Sequence, residues 1–355
     1  MKVRGEDLMP CLALTEMISA RSGVLSSRNY RIDARPGGVR FRLCGEVFGE
    51  FEVSSDCDSK AQFTADRSSL SAFISALNRS KDITLTFKDS RLLASQARRR
   101  ATFSLVQGVT GYGSAKGLDR GKPWKLAAEE KEALALCSRY ASEDPVIPQY
   151  NCVYVAKGRG AFATDSYCFL HVPFATPPAR SYAFPVFLPT ILSKLTDEAK
   201  IKVSRSGASV SDEGVYFYQP TNLKAFRFPV TKVSAMLKAP AAPVVRIRLS
   251  RFQRGLSLFK SVATSGEGQV VIKCVAGSKR VVLLMRSPFA TFEDKVYAVA
   301  PADVSRELTL YLPKLSPLIE SQKDSMVLSV FENDAFLKCT LPKGEVFVQS
   351  KIHGK

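Results

Sequence analysis

The chain has 355 residues, 45% of them hydrophobic and 24% charged, and its 51 Lys and Arg against 33 Asp and Glu leave a formal net charge of +18. No apolar run approaches the ~18 residues of a membrane span. Met1-Lys2-Val3-Arg4, followed by Glu6 and Asp7, lacks the apolar core of a secretion signal, so no membrane contact and a cytoplasmic location are expected. Two histidines, His171 and His353, accompany eight scattered cysteines without a CxxC pair, and P-loop, dinucleotide-fold and serine-elbow patterns are absent, which argues against a metal, a cofactor and an enzyme.

In chain order, a helix is predicted around Leu8-Met9-Pro10-Cys11-Leu12, then strands at Tyr30-Arg31-Ile32 and Val39 to Leu43 turned by Pro36-Gly37-Gly38. A second helix over Leu70 to Leu77 precedes strands from Ile83 and Leu92, turned by Lys88-Asp89-Ser90-Arg91. Segment 106–122, with five glycines, reads as a flexible connection ending at Pro123. The series then restarts: helix Leu126 to Tyr140, strand Cys152-Val153-Tyr154, turn Lys157-Gly158-Arg159-Gly160, helix Leu188 to Leu195, strands from Ile201, and turn Asp212-Glu213-Gly214. Lys238-Ala239-Pro240-Ala241-Ala242-Pro243 reads as a stiffer, extended linker, because proline fixes φ and lacks a donor. The third run is helix Leu249 to Ala263, strand Val270-Val271-Ile272, turn Ala276 to Lys279, helix Leu312 to Ile319, strands from Met326 and turn Glu332-Asn333-Asp334.

The recurrence, at intervals of roughly 120 residues, is far longer than a solenoid period, so the repeated unit is a domain. An α+β fold of three tandem domains is predicted, over 1–107, 122–238 and 244–355, each with two helices packed on antiparallel hairpin sheets. The cysteines (Cys11, Cys44, Cys57, Cys137, Cys152, Cys168, Cys274 and Cys339) are expected as reduced core thiols. The positive excess is spread over all three repeats, which suits three equivalent domains facing one long polyanion, or a merely soluble surface. In the third repeat Phe252, Leu256, Phe259 and Ala263 form an apolar stripe opposite Arg251 and Arg254.

With its triplicate plan, the chain resembles the bacterial DNA polymerase III beta subunit, the sliding clamp, over essentially its whole length. Ser90 to Ser95 and Arg100 to Leu105 are similar to the strand pair closing the first clamp domain, Phe162-Ala163-Thr164-Asp165 to a strand of the second, and Phe226-Arg227-Phe228-Pro229 to its exit. The resemblance implies a DNA-clamp fold and a head-to-tail homodimer, a six-domain ring whose twelve helices line a hole around double-stranded DNA held without sequence preference. It implies a processivity factor that tethers DNA polymerase and the clamp loader through short peptide motifs. Lining residues would be Arg79, Lys81, Lys131, Arg139, Lys194, Arg251, Arg254 and Lys314, with Arg28 as a further phosphate contact; for each alone a solvated helix face is the other reading.

The family's peptide pocket would map to Tyr150, Thr164, Asp165, Pro229 and Val348, with Phe169 and Ile352 as apolar wall. Thr164 and Asp165 also read as a plain turn cap. The chain departs from the family at Ser166-Tyr167-Cys168-Phe169 and at its terminus, Gln349-Ser350-Lys351-Ile352 extended by His353-Gly354-Lys355. Clamps of this family are typically acidic outside, so +18 opens the way to DNA or an acidic partner on the exterior. Arg98-Arg99-Arg100 is one candidate, or a charge-blunted strand edge. The alternative function is a clamp-like monomer, a regulator or decoy, that binds nucleic acid through an open basic face.

Overall fold

The computed structural model describes residues 1–19, 28–43, 45, 47–106, 121–144, 146–262, 268–299, 302, 304–322 and 327–351. One wiring occurs three times along them: strand, helix, four strands, helix, three strands. The first third holds β1 (Lys2–Arg4), α1 (Gly5–Ser19), β2 (Asn29–Arg35), β3 (Gly38–Leu43), β4 (Phe48–Ser54), β5 (Ala61–Asp66), α2 (Arg67–Ser75), β6 (Asp82–Lys88), β7 (Arg91–Gln96) and β8 (Arg99–Ser104). The second holds β9 (Lys122–Trp124), α3 (Ala128–Ser138), β10 (Cys152–Ala156), β11 (Gly160–Thr164), β12 (Cys168–Pro173), β13 (Tyr182–Pro185), α4 (Phe187–Leu192), β14 (Lys200–Val203), β15 (Gly207–Asp212) and β16 (Val215–Pro220). A 3-10 turn, Leu223–Arg227, and α5 (Val230–Lys238) lead into the last third. That third holds β17 (Ala242–Arg248), α6 (Leu249–Val262), β18 (Gln269–Cys274), β19 (Arg280–Arg286), β20 (Thr291–Tyr297), β21 (Arg306–Tyr311), α7 (Leu312–Glu320), β22 (Val327–Glu332), β23 (Phe336–Thr340) and β24 (Val346–Ser350).

The chain forms two compact units, Met1–Ala135 with Tyr182–Phe226, and Leu136–Ser181 with Arg227–Lys355, so the middle third is shared between them. In the first unit one sheet runs β1-β6-β7-β8 and a longer one β5-β2-β3-β4-β16-β15-β14-β9. In the second, one sheet runs β20-β19-β18-β21 and another includes the stretch β10-β11-β12-β24-β23-β22-β17. The thirds are stitched by one rule: the fourth strand of a third pairs antiparallel with the eighth strand of the next. Thus β4 meets β16 with Phe51 opposite Val215, and β12 meets β24 with Phe169 opposite Val348. At the first joint Gly49 is required for space, since a Cβ there would lie 2.9 Å from a ring carbon of Phe217.

Strand alternation puts aromatic residues on the helix-facing side of the long sheet in the first unit. Phe41 and Phe51 stack at 4.8 Å, and Tyr30 meets both edge-on at 5.8 and 6.2 Å. The buried Tyr30 hydroxyl bonds Thr15 of α1 and Ser71 of α2, so one phenol fixes both helices to the sheet. Burial, the main cause, pushes that phenol up to about 12. In the second unit Phe252, Leu256 and Phe259 of α6 are buried as the apolar stripe requires, while Arg251 and Arg254 face solvent.

Element ends differ from the sequence reading where tertiary bonds override local pattern. The α2 helix stops at Ser75, so Arg79 and Lys81 sit in the turn before β6, and Lys194 lies beyond the end of α4. Lys122 and Pro123, read as the end of a connection, already belong to β9 and pair with β14. Ala242 and Pro243, read as linker, open β17, with a register irregularity between Pro243 and Val245 where proline has no N–H to give. Residues 107–120 of the Gly-rich connection, Ala263 and Met326 lie outside the described residues. The seven described cysteines are free thiols, all buried except the half-buried Cys11.

Candidate nucleic-acid interface and peptide groove

The cationic candidates fall into three structural classes. Arg28, Arg79, Lys81 and Lys194 in the first unit, and Arg139, Arg251 and Arg254 in the second, are exposed. The Arg79–Lys81 turn is rigid, because the buried Gln96 amide accepts from Asn78 N at 2.7 Å and donates to the carbonyls of Asn78 and Lys81 at 2.8 and 3.0 Å. No local pattern announces Gln96, whose partners lie 18 and 15 residues back in the chain. Lys131 departs from the expectation. It is only 4% exposed, and its ammonium donates to Thr196 O at 2.9 Å and pairs with Asp197 at 3.3 Å. A lysine whose charge is spent internally has little left for a phosphate.

Lys314 forms the third class. Its ammonium lies 2.9 Å from Asp165 Oδ2, donates to Arg139 O at 3.2 Å, and stands 6.0 Å from the centre of the buried Tyr140 ring. It therefore joins the peptide-site candidate Asp165 to the lining candidate Arg139. Asp165 is also a cap: its Oδ1 accepts from Tyr167 N at 3.0 Å and Cys168 N at 2.8 Å, closing a turn in which Ser166 takes φ +82°. Thr164 donates to Cys168 O at 2.7 Å and accepts from Ser166 N. Asp165 thus caps the turn with one oxygen and pairs with Lys314 through the other.

Other groove candidates divide by depth. Phe169 and Val348 are 3% and 1% exposed and face each other across the β12–β24 joint, too deeply buried to form an exposed apolar wall. Tyr150 and Pro229 are half-buried, Pro229 as the residue preceding α5, next to Phe228, which stacks on Tyr154 at 5.2 Å. Ile352 lies outside the described residues. Next to Phe169, burial and then Asp165 push the Cys168 thiol up to about 12, so it is inert. His171 packs on Phe162 at 4.4 Å, and burial, then Arg159, lowers its pKa to about 4. It is a neutral core side chain. Among the described residues no group of His, Cys, Asp or Glu is arranged to hold a metal ion, and no helix is long and apolar enough to cross a membrane.

No family model matches the chain, and no curated relative does. Solved structures do. The chain is similar to Caulobacter crescentus pol III beta at 16% identity, with 100% of each chain covered and a TM-score of 0.68. It matches a Bartonella birtlesii sliding clamp, DNA polymerase III subunit beta bound to griselimycin, at 15% identity, covering 100% of this chain and 99% of that one with a TM-score of 0.70. The Bacillus subtilis DNA polymerase sliding clamp matches at 13% identity over 100% and 99% of the two chains, TM-score 0.67. The fold is that of the beta sliding clamps, with three tandem clamp-type repeats.

Proposed function

We propose that this chain is a sliding clamp, a non-catalytic processivity factor that closes as a two-copy ring around duplex DNA and tethers polymerase and other replication proteins. The observation that carries this reading is the stitching rule. Fourth strand meets eighth strand at β4–β16 and β12–β24; applied once more, it pairs β20 of one copy with β8 of a second. Both are edge strands. A heterologous contact that repeats by rotation closes a ring without leaving free edges. The charges agree, with Arg99 and Arg100 on β8 and Glu293 and Asp294 on β20.

A threaded ring needs only weak, uniform attraction to phosphates, since base contacts would stop it moving. Arg28, Arg79, Lys81, Arg139, Lys194, Arg251 and Arg254 supply it. Lys131 and Lys314 instead hold helix ends in place. Partner peptides, from a polymerase or a loader, would dock over Phe169 and Val348 between Tyr150 and Pro229, beside the Asp165–Lys314 pair. Tethering raises the local concentration of polymerase at the primer end without a tight grip on DNA.

The test is topological. The protein loaded on nicked circular DNA should stay bound through a high-salt wash and leave when the circle is linearised, and its solution mass should be twice 38.9 kDa. A monomer that leaves circles and linear DNA alike in high salt would sink the reading in favour of a clamp-like protein with an open basic face.

A further inference from the structure

Two of the four sheet surfaces turned away from the helices are neutralised or covered, and a third is partly so. On the long sheet of the first unit, Arg31 and Arg42 pair with Asp33 at 3.3 Å, Arg42 and Arg40 with Glu50 at 3.3 and 3.4 Å, and Arg40 with Glu52 at 2.7 Å. On the β20-β19-β18-β21 sheet, Lys273 pairs with Glu307 at 3.0 Å and Lys295 with Glu293 at 4.0 Å, while Arg280 and Arg286 stay exposed at its two ends. The β10-to-β17 stretch is covered by the α5 region, where Phe228 stacks on Tyr154 and Lys338 donates to Leu237 O at 2.7 Å. The β1-β6-β7-β8 sheet is different. Its core side carries Ile83, Leu85, Leu92 and Ala94, and its other side is open.

Register places two cationic rows on that open side. Lys2, Thr84, Ser95 and Arg100 form one; Lys88, Arg91 and Ser104 form the other. The side chains of Lys2, Lys88 and Arg91 are exposed and have no acidic partner among the described residues; Arg100 lies on the edge strand that the ring reading gives to the seam, and Asp82, opposite Arg4, is on the same side beyond the first row. Lys88 and Arg91 stand directly opposite each other across a turn in which Asp89 and Ser90 both take positive φ, 52° and 55°. Like charges in register destabilise a hairpin, so the fold alone gives no reason for the pair.

We infer that this open sheet face is a second binding surface for the phosphate backbone of duplex nucleic acid, separate from any enclosed lining. The rows lie four residues apart along β6, about 13 Å at the rise of an extended strand, close to the ~12 Å width of the B-DNA major groove. Each row can meet the phosphates on one rim. Between them Thr86, Leu93 and Thr102 carry no charge to read base edges. The face has no aromatic side chain on which an unpaired base would stack, which favours duplex over single strand.

The test uses the full chain carrying Lys88→Glu with Arg91→Glu and a 20-bp linear duplex from which a ring slides free, so that only surface grip is measured. The salt dependence of binding should fall by about two in log–log slope, roughly one per lost phosphate contact, and affinity at low salt should drop at least tenfold. Lys88→Glu alone, which turns the like-charged pair into an attractive one, should raise the melting temperature while weakening binding, separating ligand from fold. An unchanged slope overturns the inference. So does loss of binding to polyglutamate with duplex binding intact, which would make the occupant an acidic protein. Retention on nicked circles is expected to be unchanged in the variants, so this surface and the ring reading fail independently.

Discussion

At the scale of single residues, the Asp165 carboxylate separates two roles by oxygen: one atom caps a turn and the other neutralises Lys314. Asp165→Ala removes both and should cost about 1–2 kcal/mol, whereas Asp165→Asn keeps the acceptor and should cost less, as read from urea midpoints. Equal losses would place the weight on the ion pair. His171 gives a pH signature. Its pKa falls from the ordinary 6.5 to about 4 on folding, so the unfolded chain binds the proton more readily and stability declines as pH drops from about 6.5 towards 4. His171→Phe, which keeps the stacking on Phe162, should flatten melting temperature against pH over that window. A parallel decline in the variant would assign the effect to other groups. The chemistry of Asp165 was half legible, since Thr-Asp before a strand reads as a cap. Its contact with Lys314 was not, because nothing in a sequence brings together two residues from different thirds. Lys131 was misleading for a related reason: its partner Asp197, though in the same third, is 66 positions away, and a lysine on a helix looks exposed until the neighbouring turn is known.

Among the elements, sequence punctuation located six hairpins, four of them because Gly37, Gly158, Gly214 and Gly277 adopt the positive φ that their turns need. Six of the seven described helices start within three residues of the place that apolar periodicity gave them, whereas α5 was not foreseen. The failures cluster at ends, where long-range bonds decide: Gln96 stabilises the turn that follows α2, and β14 recruits Lys122 and Pro123 into a strand. The joints between thirds were also hidden, because an edge strand and a paired one have the same alternation. Gly49 marks the first joint, and Gly49→Val, which forces the Phe217 ring aside, should destabilise the first unit by about 1–3 kcal/mol. A melting temperature equal to wild type would show that the β4–β16 seam repacks freely.

For the whole molecule, part of the +18 charge acquires a location: ladders on the long sheet of the first unit match cations with acids, while the β1-β6-β7-β8 face keeps Lys2, Lys88 and Arg91 without an acidic partner among the described residues. Ring closure should depend on the two remaining edges. Glu293→Lys with Asp294→Lys should convert the two-copy species to one of 38.9 kDa in sedimentation, and mixing that variant with Arg99→Glu/Arg100→Glu should restore association. Failure of the mixed pair to associate would remove charge from the account of the seam. The triplicate sequence suggests three autonomous folding bodies, yet the backbone crosses between the compact units after Ala135, Ser181 and Phe226. No single scission yields two complete halves, and the residues of the central repeat are divided between the two units. Calorimetry should therefore resolve one or two endotherms, never three, and a fragment holding only that repeat should behave as an unstructured polypeptide.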